Sequence, residues 1–215
     1  MTDLSPGRLY RLARYAVVFE YRLYKSLLRW VVRRPDHGGP DEVPFTYARV
    51  IAPVMWLWIF ASAAEVPLMH LLLPWDSARL ALLFLGVWGL VWMVGLLASL
   101  YVHPHLVGPR GLRVRSGASH SIALLWEQVH SISYQRRDVS ASIRTLQLRA
   151  VEGGVDLQVV VSDQVNVRVR LHEPTVVSTA KGDLEILELS FFADDPRPLV
   201  AHARQLLAAR AKGAC

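Results

Sequence analysis

Two long hydrophobic runs interrupt an otherwise mixed pattern of hydrophobic and polar residues, one at roughly 50–73 and one at roughly 79–102. The tetrapeptide PWDS separates them. About 20 helical residues cross a hydrocarbon core of roughly 30 Å, so each run is long enough for one crossing. Because so short a connection permits only a tight reversal, the pattern predicts a transmembrane helical hairpin at 50–102 with both ends on one side.

After Val102 the pattern changes to alternation of hydrophobic and polar residues, which is typical of β-strands with one buried face. Gly153-Gly154 indicates a two-residue hairpin, and the alternation near Ile186-Leu187 requires a bulge. Asp194-Asp195-Pro196 is a helix start signal, so we expect a final helix at about 196–212. Seven strands are predicted, at about 111–116, 119–125, 129–136, 144–151, 155–162, 164–171 and 184–192.

Seven short strands followed by one amphipathic helix is the element order of a pleckstrin-homology-like (PH-like) domain. The stretches GLRVRSG at 111–117 and LLWEQVHSISYQRR at 124–137 resemble the opening of bacterial PH domains. The chain also resembles small bacterial membrane proteins that carry such a domain after a pair of spans. This resemblance implies an α+β membrane protein with a transmembrane hairpin and, at 106–212, a PH-like seven-stranded β-barrel or sandwich with a C-terminal helix. It assigns no functional residues.

The first 34 residues form a third element, in which hydrophobic and basic residues recur on different faces of one helix. We expect a basic amphipathic helix at 1–34 that lies on the anionic inner leaflet of the membrane. Packing of this helix on the C-terminal domain or on a partner is the alternative. The segment 35–49 contains helix- and strand-breaking residues and is predicted to be a linker. The residues expected to contact the inner leaflet are Arg8, Arg11, Arg22, Lys25, Arg29 and Arg33.

Basic residues are unevenly distributed along the 215-residue chain, whose formal net charge is +6. Nine Lys or Arg residues lie in 1–49, and Arg79 is the single one in the next 53 residues. Since segments rich in Lys and Arg remain in the cytoplasm, we expect both termini to be cytoplasmic and the protein to lie in the inner cell membrane. The single cysteine, Cys215, has no partner for a disulfide within this sequence.

Glu65 lies near the middle of the first predicted span, where a charged carboxylate costs roughly 2.5 kcal/mol or more. We expect it to be neutral and hydrogen-bonded to the indole N–H of Trp88 or Trp92, with Pro67 freeing a backbone carbonyl nearby. Three roles are open: a polar clasp that holds the hairpin together, a contact with a partner's membrane helix, or a proton or ion relay. Small residues predicted to allow close packing of the spans are Ser62, Gly86 and Gly89.

Basic residues of the predicted domain could contact a lipid headgroup or a partner. The turn 116–119 contains no Lys or Arg, so general attraction to anionic lipid or a solvated strand face is favoured over a specific phosphoinositide site. His103 and His105 are too few ligands for a metal site, and we interpret them as part of a helix stop. The basic residues concerned are Arg113, Arg115, Arg136 and Arg137.

The sequence lacks catalytic signatures, since it contains no Gly-rich phosphate loop, HExxH, G-x-S-x-G or CxxC. We therefore expect no enzyme, no cofactor or metal site, and no nucleic-acid binding. The predicted function is a membrane adaptor that presents the PH-like domain at the inner leaflet to another membrane or envelope protein, or to a second copy of itself. The alternative is an accessory subunit of a transporter or channel, in which Glu65 faces a polar pathway.

Overall fold

The structure is a computed structural model that describes residues 6–142, 144–179 and 182–213, with the backbone alone for 6–13, 15 and 211–213. Cys215 lies outside the described residues. The chain divides into two compact units. The helical unit comprises Met1–Pro35 and Pro53–Val102, and the β-rich unit comprises Asp36–Ala52 and His103–Cys215.

Three helices form the helical unit: α1 (Pro6–Val31), α2 (Ala52–Leu72) and α3 (Asp76–Val102). Within the described residues, α2 and α3 are the two helices long and apolar enough to cross a membrane. The Arg79 guanidinium closes the reversal between them, because it donates to the Leu73 carbonyl at 2.8 Å and pairs with Asp76 at 3.3 Å. A cation at a helix C-terminus satisfies carbonyls that have no partner within the helix.

α1 packs along α3, a contact that the sequence did not predict. Gly95 lets Leu23 approach the α3 backbone, since a Cβ at residue 95 would overlap the Leu23 side chain. Further along both helices, Trp30 stacks on Tyr101 with 6.5 Å between the ring centroids. Because residue numbers rise together in these two contacts, α1 and α3 run in the same direction.

The β-rich unit contains two open sheets in the residues that the structure describes. The first sheet pairs its strands antiparallel in chain order: β1 (Val43–Phe45), β2 (His105–Gly108), β3 (Gly111–Ser116) and β4 (His120–Leu125). The second sheet is formed by β5 (Val129–Asp138), β6 (Leu146–Val151), β7 (Gly154–Val159), β8 (Gln164–Thr179) and β9 (Gly182–Phe191). Its order is β5-β8-β9-β7-β6, and the β7–β9 pair is parallel.

Alternate residues of the strands build one core, because side chains two positions apart share a face of the sheet. Val114 in the first sheet and Val167 and Val169 in the second are at most 1% exposed. The last helix, α4 (Pro196–Gly213), adds the fully buried Leu199 and Ala203. Both sheets and α4 therefore share a single hydrophobic core.

All seven predicted strands are present, and two further strands, β1 and β2, extend the first sheet. The segment 35–49, predicted to be a linker, contains β1 and buries Tyr47 and Ala48 to 1% exposure. Pro44 is tolerated in β1 because an edge strand needs hydrogen bonds on one side only. This segment is therefore part of the β-rich unit.

The register between β8 and β9 shifts where the sequence predicted a bulge. Arg170 pairs with Glu188, whereas the next aligned pair is Thr175 with Ile186. Residues 171–174 of β8 thus lie opposite a single residue of β9, Leu187. The additional residues belong to β8, which continues eight residues beyond its predicted end at Leu171.

Candidate functional site

The structure does not bring Glu65 to either of the tryptophans predicted to bind it. The Glu65 side chain is exposed on α2. The Trp88 indole N–H donates instead to the hydroxyl of Tyr24 in α1 at 2.8 Å. The Trp92 ring packs against Phe19 of α1 with 6.3 Å between the ring centroids. Both tryptophans therefore connect α3 with α1, and the carboxylate of Glu65 stays available to another molecule.

The small residues predicted to allow close packing of α2 and α3 differ in whether another helix approaches them closely. A Cβ at Gly86 would lie 2.6 Å from Cγ2 of Val66, so this glycine permits close approach of α2 and α3. Gly89 has no such neighbour within 4 Å, and Ser62 is half-buried. Pro67 lies inside α2, next to the residue that meets Gly86. Only Gly86 of the predicted glycines thus mediates a close contact.

The basic face of α1 is separate from the face that packs on α3. Leu23 and Ser26 are buried. Arg29 is half-buried, and the side chains of Arg8 and Arg11 lie outside the described part of the chain. The remaining residues predicted to contact the inner leaflet are exposed, namely Arg22, Lys25 and Arg33.

Two of the domain arginines form ion pairs with the segment between α1 and α2. Arg115 is buried and lies 3.2 Å from the Asp36 carboxylate, and Arg113 lies 3.8 Å from Glu42. Burial lowers the pKa of Arg115, and the nearby Asp36 carboxylate opposes that shift. Arg136 is exposed. Arg113 and Arg115 of the first sheet are therefore both paired with carboxylates.

Arg137 belongs to a polar cluster on the second sheet. It lies 3.6 Å from the fully buried carboxylate of Asp156, which also accepts a hydrogen bond from the Gln158 amide at 2.9 Å. Beside it, the guanidinium of Arg168 binds both carboxylate oxygens of Glu188, and this hydrogen bonding raises the pKa of Arg168. Buried carboxylates require such partners. Within the described residues these contacts partner Asp156 and Glu188, except that Oδ1 of Asp156 and one terminal nitrogen of Arg137 form no hydrogen bond.

His105 is a buried, neutral histidine whose two ring nitrogens both form hydrogen bonds. Its Nδ1 accepts the Arg115 backbone N–H at 3.1 Å, so Nε2 carries the proton and donates to the Phe192 carbonyl at 2.8 Å. Burial lowers the pKa of His105 to about 4. The ring also stacks on Tyr47 at 4.5 Å between centroids. Within the described residues, no group of three or more His, Cys, Asp or Glu side chains could hold a metal ion.

Tyr47 is a second residue whose role the sequence did not reveal. Its hydroxyl oxygen accepts the Gly117 N–H at 2.6 Å, and burial raises the pKa of Tyr47 well above its ordinary value. The adjacent Thr46 carbonyl accepts the Asp194 N–H at 2.8 Å. The Asp194 carboxylate in turn accepts the Arg49 N–H at 3.2 Å. The alternation of Phe45 and Tyr47 was the available signal, but the neighbouring breaker residues obscured it.

β6 is an edge strand of the second sheet, because β7 is the one strand of the described residues that pairs with it. The Val160 N–H donates to the Thr145 carbonyl at 2.9 Å. In an antiparallel ladder the residues that bond to one neighbour alternate with residues whose backbone groups point away from it. The N–H and C=O groups of Leu146, Leu148 and Ala150 therefore point away from β7, toward the open side of the edge.

A groove of about 420 Å³ lies beside this edge. Its apolar lining comes from β6, β7 and β9, while polar side chains surround it. An unpaired strand next to an apolar groove is suited to an extended chain, whose backbone pairs with the edge while a side chain enters the groove. Residues that line the groove include Arg144, Leu146, Leu148, Leu157, Asp183 and Leu184.

These observations define an α+β protein with two helices of membrane-spanning length, a two-sheet domain and an open strand edge. Comparison of the chain with known protein families, with curated proteins and with solved structures gave no match. The features of the chain that bear on function are the long apolar helices α2 and α3, the edge of β6 and the groove beside it.

Proposed function

We propose that the chain is a non-enzymatic membrane adaptor that presents its β-rich unit in the cytoplasm, next to the inner membrane. The length and apolar composition of α2 and α3 support an anchor that crosses the membrane twice. The nine Lys and Arg residues before α2 support a cytoplasmic location for both ends of the hairpin. Basic residues that lie near the anionic membrane surface each add about 1 kcal/mol of attraction to it.

The β-rich unit is a PH-like domain in this proposal. An antiparallel first sheet, a second sheet over the same core and a C-terminal helix support the relationship. The parallel β7–β9 pair and the additional strand β1 are departures from the seven-stranded pattern. Relatives of the PH fold bind proteins by strand addition, which agrees with an available edge at β6.

The single observation that carries the adaptor function is the open edge of β6 beside the groove. An extended segment, from a membrane or envelope protein or from a second copy of the chain, pairs with Leu146, Leu148 and Ala150. The backbone hydrogen bonds provide affinity, and the groove selects an apolar side chain. Leu148, which is 60% exposed, lies at the centre of this surface.

Site-specific photo-crosslinking tests this function in intact cells. A photoreactive amino acid at Leu148 is expected to give defined protein adducts. The same amino acid at Val176, which is 63% exposed on β8, serves as the matched control and is expected to give none. Absence of adducts from position 148 in membrane-inserted protein would contradict docking at this edge. Reaction of Cys215 with a membrane-impermeant thiol reagent added outside the cell would contradict the cytoplasmic location.

A second candidate function is an accessory subunit of a transporter or channel. The observation in its favour is the exposed carboxylate of Glu65 on an apolar helix, since such groups in lipid contact a partner or a polar pathway. Glu65→Gln keeps the hydrogen-bonding capacity but removes the titratable group. A relay subunit loses transport in this variant, whereas an adaptor keeps both its localisation and its Leu148 adducts.

A further inference from the structure

We propose that the segment bound at the edge of β6 is β6 of a second copy of this chain, so that the protein forms a two-fold symmetric dimer. The inference rests on the proposed function only in using the same docking edge. An isologous interface requires that one strand be complementary to itself in the antiparallel direction. The sequence of β6 and the direction of its backbone groups satisfy this requirement.

The backbone of β6 can pair with a second β6 in antiparallel registers that bring the outward-pointing residues of the two copies opposite each other. Leu146, Leu148 and Ala150 carry the outward N–H and C=O groups, because the Val160–Thr145 hydrogen bond makes their neighbours in β6 the partners of β7. A two-fold axis at Leu148 brings it opposite Leu148 of the second copy, and Leu146 opposite Ala150. These are hydrogen-bonded pairs, in which both residues exchange N–H···O=C bonds. The dimer thereby joins two five-stranded sheets into one.

The side chains of β6 favour the register with the axis at Leu148 over the registers with the axis one residue away. With the axis at Leu148, Gln147 lies opposite Arg149, and Arg144 lies opposite Glu152 at each end. An axis at Arg149 would place two arginines opposite each other, which is destabilising. An axis at Gln147 would place Arg144 opposite Ala150 and leave Glu152 without a basic residue across from it. Charge complementarity therefore favours the axis at Leu148.

Exposure of these side chains agrees with a surface that is covered in a dimer. Arg144, Arg149 and Glu152 are exposed, and the described residues contain no ion pair that involves any of them. Leu148 lies opposite the core residue Leu157 in the β6–β7 ladder and so shares its face. Two Leu148 side chains at the axis thus continue the hydrophobic core across the interface.

Disulfide trapping tests the geometry in the full chain in mild detergent. In a Cys215→Ser background, Leu148→Cys is expected to give a disulfide-linked dimer on mild oxidation. Hydrogen-bonded antiparallel partners have Cα atoms about 5.5 Å apart, within the range that a disulfide spans. Val176→Cys in the same background is the control and is expected to remain monomeric.

Charge reversal tests the register without introducing a reactive group. Arg144→Glu alone and Glu152→Arg alone are each expected to raise the dimer dissociation constant roughly tenfold, because each places like charges opposite each other at both ends. The double variant restores the opposite charges and is expected to return the dissociation constant to the original value. These substitutions are on exposed positions, so folding is retained. Analytical ultracentrifugation in detergent measures each constant.

The outcomes separate self-pairing from docking of another protein. A chain that stays monomeric at all concentrations, or a double variant that is no better than the single variants, overturns the dimer. If Leu148 then still forms photo-adducts with a different protein, the adaptor function stands and only self-pairing is lost. If Leu148 forms no adduct with any protein, both the dimer and the docking edge are contradicted.

Discussion

At the scale of single residues, the clearest chemical constraint is at His105. A neutral imidazole is the one side chain that offers a hydrogen-bond donor and an acceptor on opposite sides of a small ring. Both are used, by the Phe192 carbonyl and the Arg115 N–H. A protonated ring would have two donors, so Nδ1 would face the Arg115 N–H without an acceptor. The fold therefore favours the neutral form.

The stability of the β-rich unit is expected to depend on pH through His105. The folded pKa is about 4 and the unfolded value is 6.5, so the unfolded chain binds a proton first as the pH falls. The stabilisation is complete above pH 6.5 and is lost between about pH 6.5 and 4, by about 3 kcal/mol. Chemical denaturation at a series of pH values measures this slope.

His105→Gln is the matched variant for that measurement. The glutamine amide can donate to Phe192 and accept from Arg115, but it does not titrate. We expect the variant to be less stable than the parent at pH 7, with a difference that shrinks by about 3 kcal/mol toward pH 4. Equal pH slopes for the two proteins would show that His105 does not control the transition.

Tyr47→Phe is expected to destabilise the β-rich unit by about 1–3 kcal/mol. The variant retains the ring that stacks on His105 but removes the acceptor of the buried Gly117 N–H. Tyr134→Phe is the control, because Tyr134 is 45% exposed. Thermal unfolding followed by near-ultraviolet circular dichroism compares the three proteins. Equal losses for both variants would contradict a special role for the Tyr47 hydroxyl.

At the scale of elements, the pairing of α1 with α3 shows how one small residue sets a helix contact. Gly95 has no side chain that would obstruct Leu23 of α1. Tyr24, the next residue of α1, accepts a hydrogen bond from Trp88 of α3. Small residues at such contacts allow the backbones to come close together. Arg22 and Lys25 lie on a different, exposed face of α1.

Gly95→Leu is expected to separate α1 from α3 and to lower the melting temperature in detergent. Overpacking of this kind costs about 1–3 kcal/mol. A second substitution, Leu23→Ala, creates space and is expected to recover part of the loss. Gly89→Leu is the control, since no neighbouring atom lies within 4 Å of the position of its Cβ. A melting temperature that falls equally at both glycines would contradict the specific contact.

The sequence predicted elements well where a periodic pattern is long and tertiary contacts agree with it. The two long apolar helices follow from continuous hydrophobic runs, and the seven strands follow from alternation of hydrophobic and polar residues. β1 and β2 were missed because both are short and because Pro44 and Pro104 interrupt the pattern of hydrophobic and polar residues. The partner of Trp88 depends on the position of α1, which no local pattern specifies. The pairing of Arg115 with Asp36 joins residues that are far apart in the sequence, so local residue spacing does not predict it either.

At the scale of the whole molecule, the segments before α2 and after α3 are both folded as part of the β-rich unit. Segment 36–51, before α2, provides β1, Tyr47 and the Asp36 partner of Arg115. The residues after α3 enter β2 at once, where Val107 pairs with Val43. A domain boundary drawn at residue 106 therefore removes both β1 and His105.

Two fragments that differ in these residues test whether the segment is part of the folding unit. Residues 106–212 alone are expected not to unfold cooperatively, because Gly117, Arg115 and Phe192 lose their partners Tyr47, Asp36 and His105. A fragment that joins 36–49 to 103–213 through a flexible Gly/Ser linker keeps all of these contacts and is expected to melt in one transition. A third fragment with the same linker but Tyr47→Ala and Asp36→Ala controls for chain length.

If 106–212 melts as sharply and at the same temperature as the joined fragment, then segment 36–49 is a tether and contributes nothing to the fold. Because the hydrogen bonds to Tyr47 and His105 are buried, we expect the joined fragment alone to show full near-ultraviolet circular dichroism.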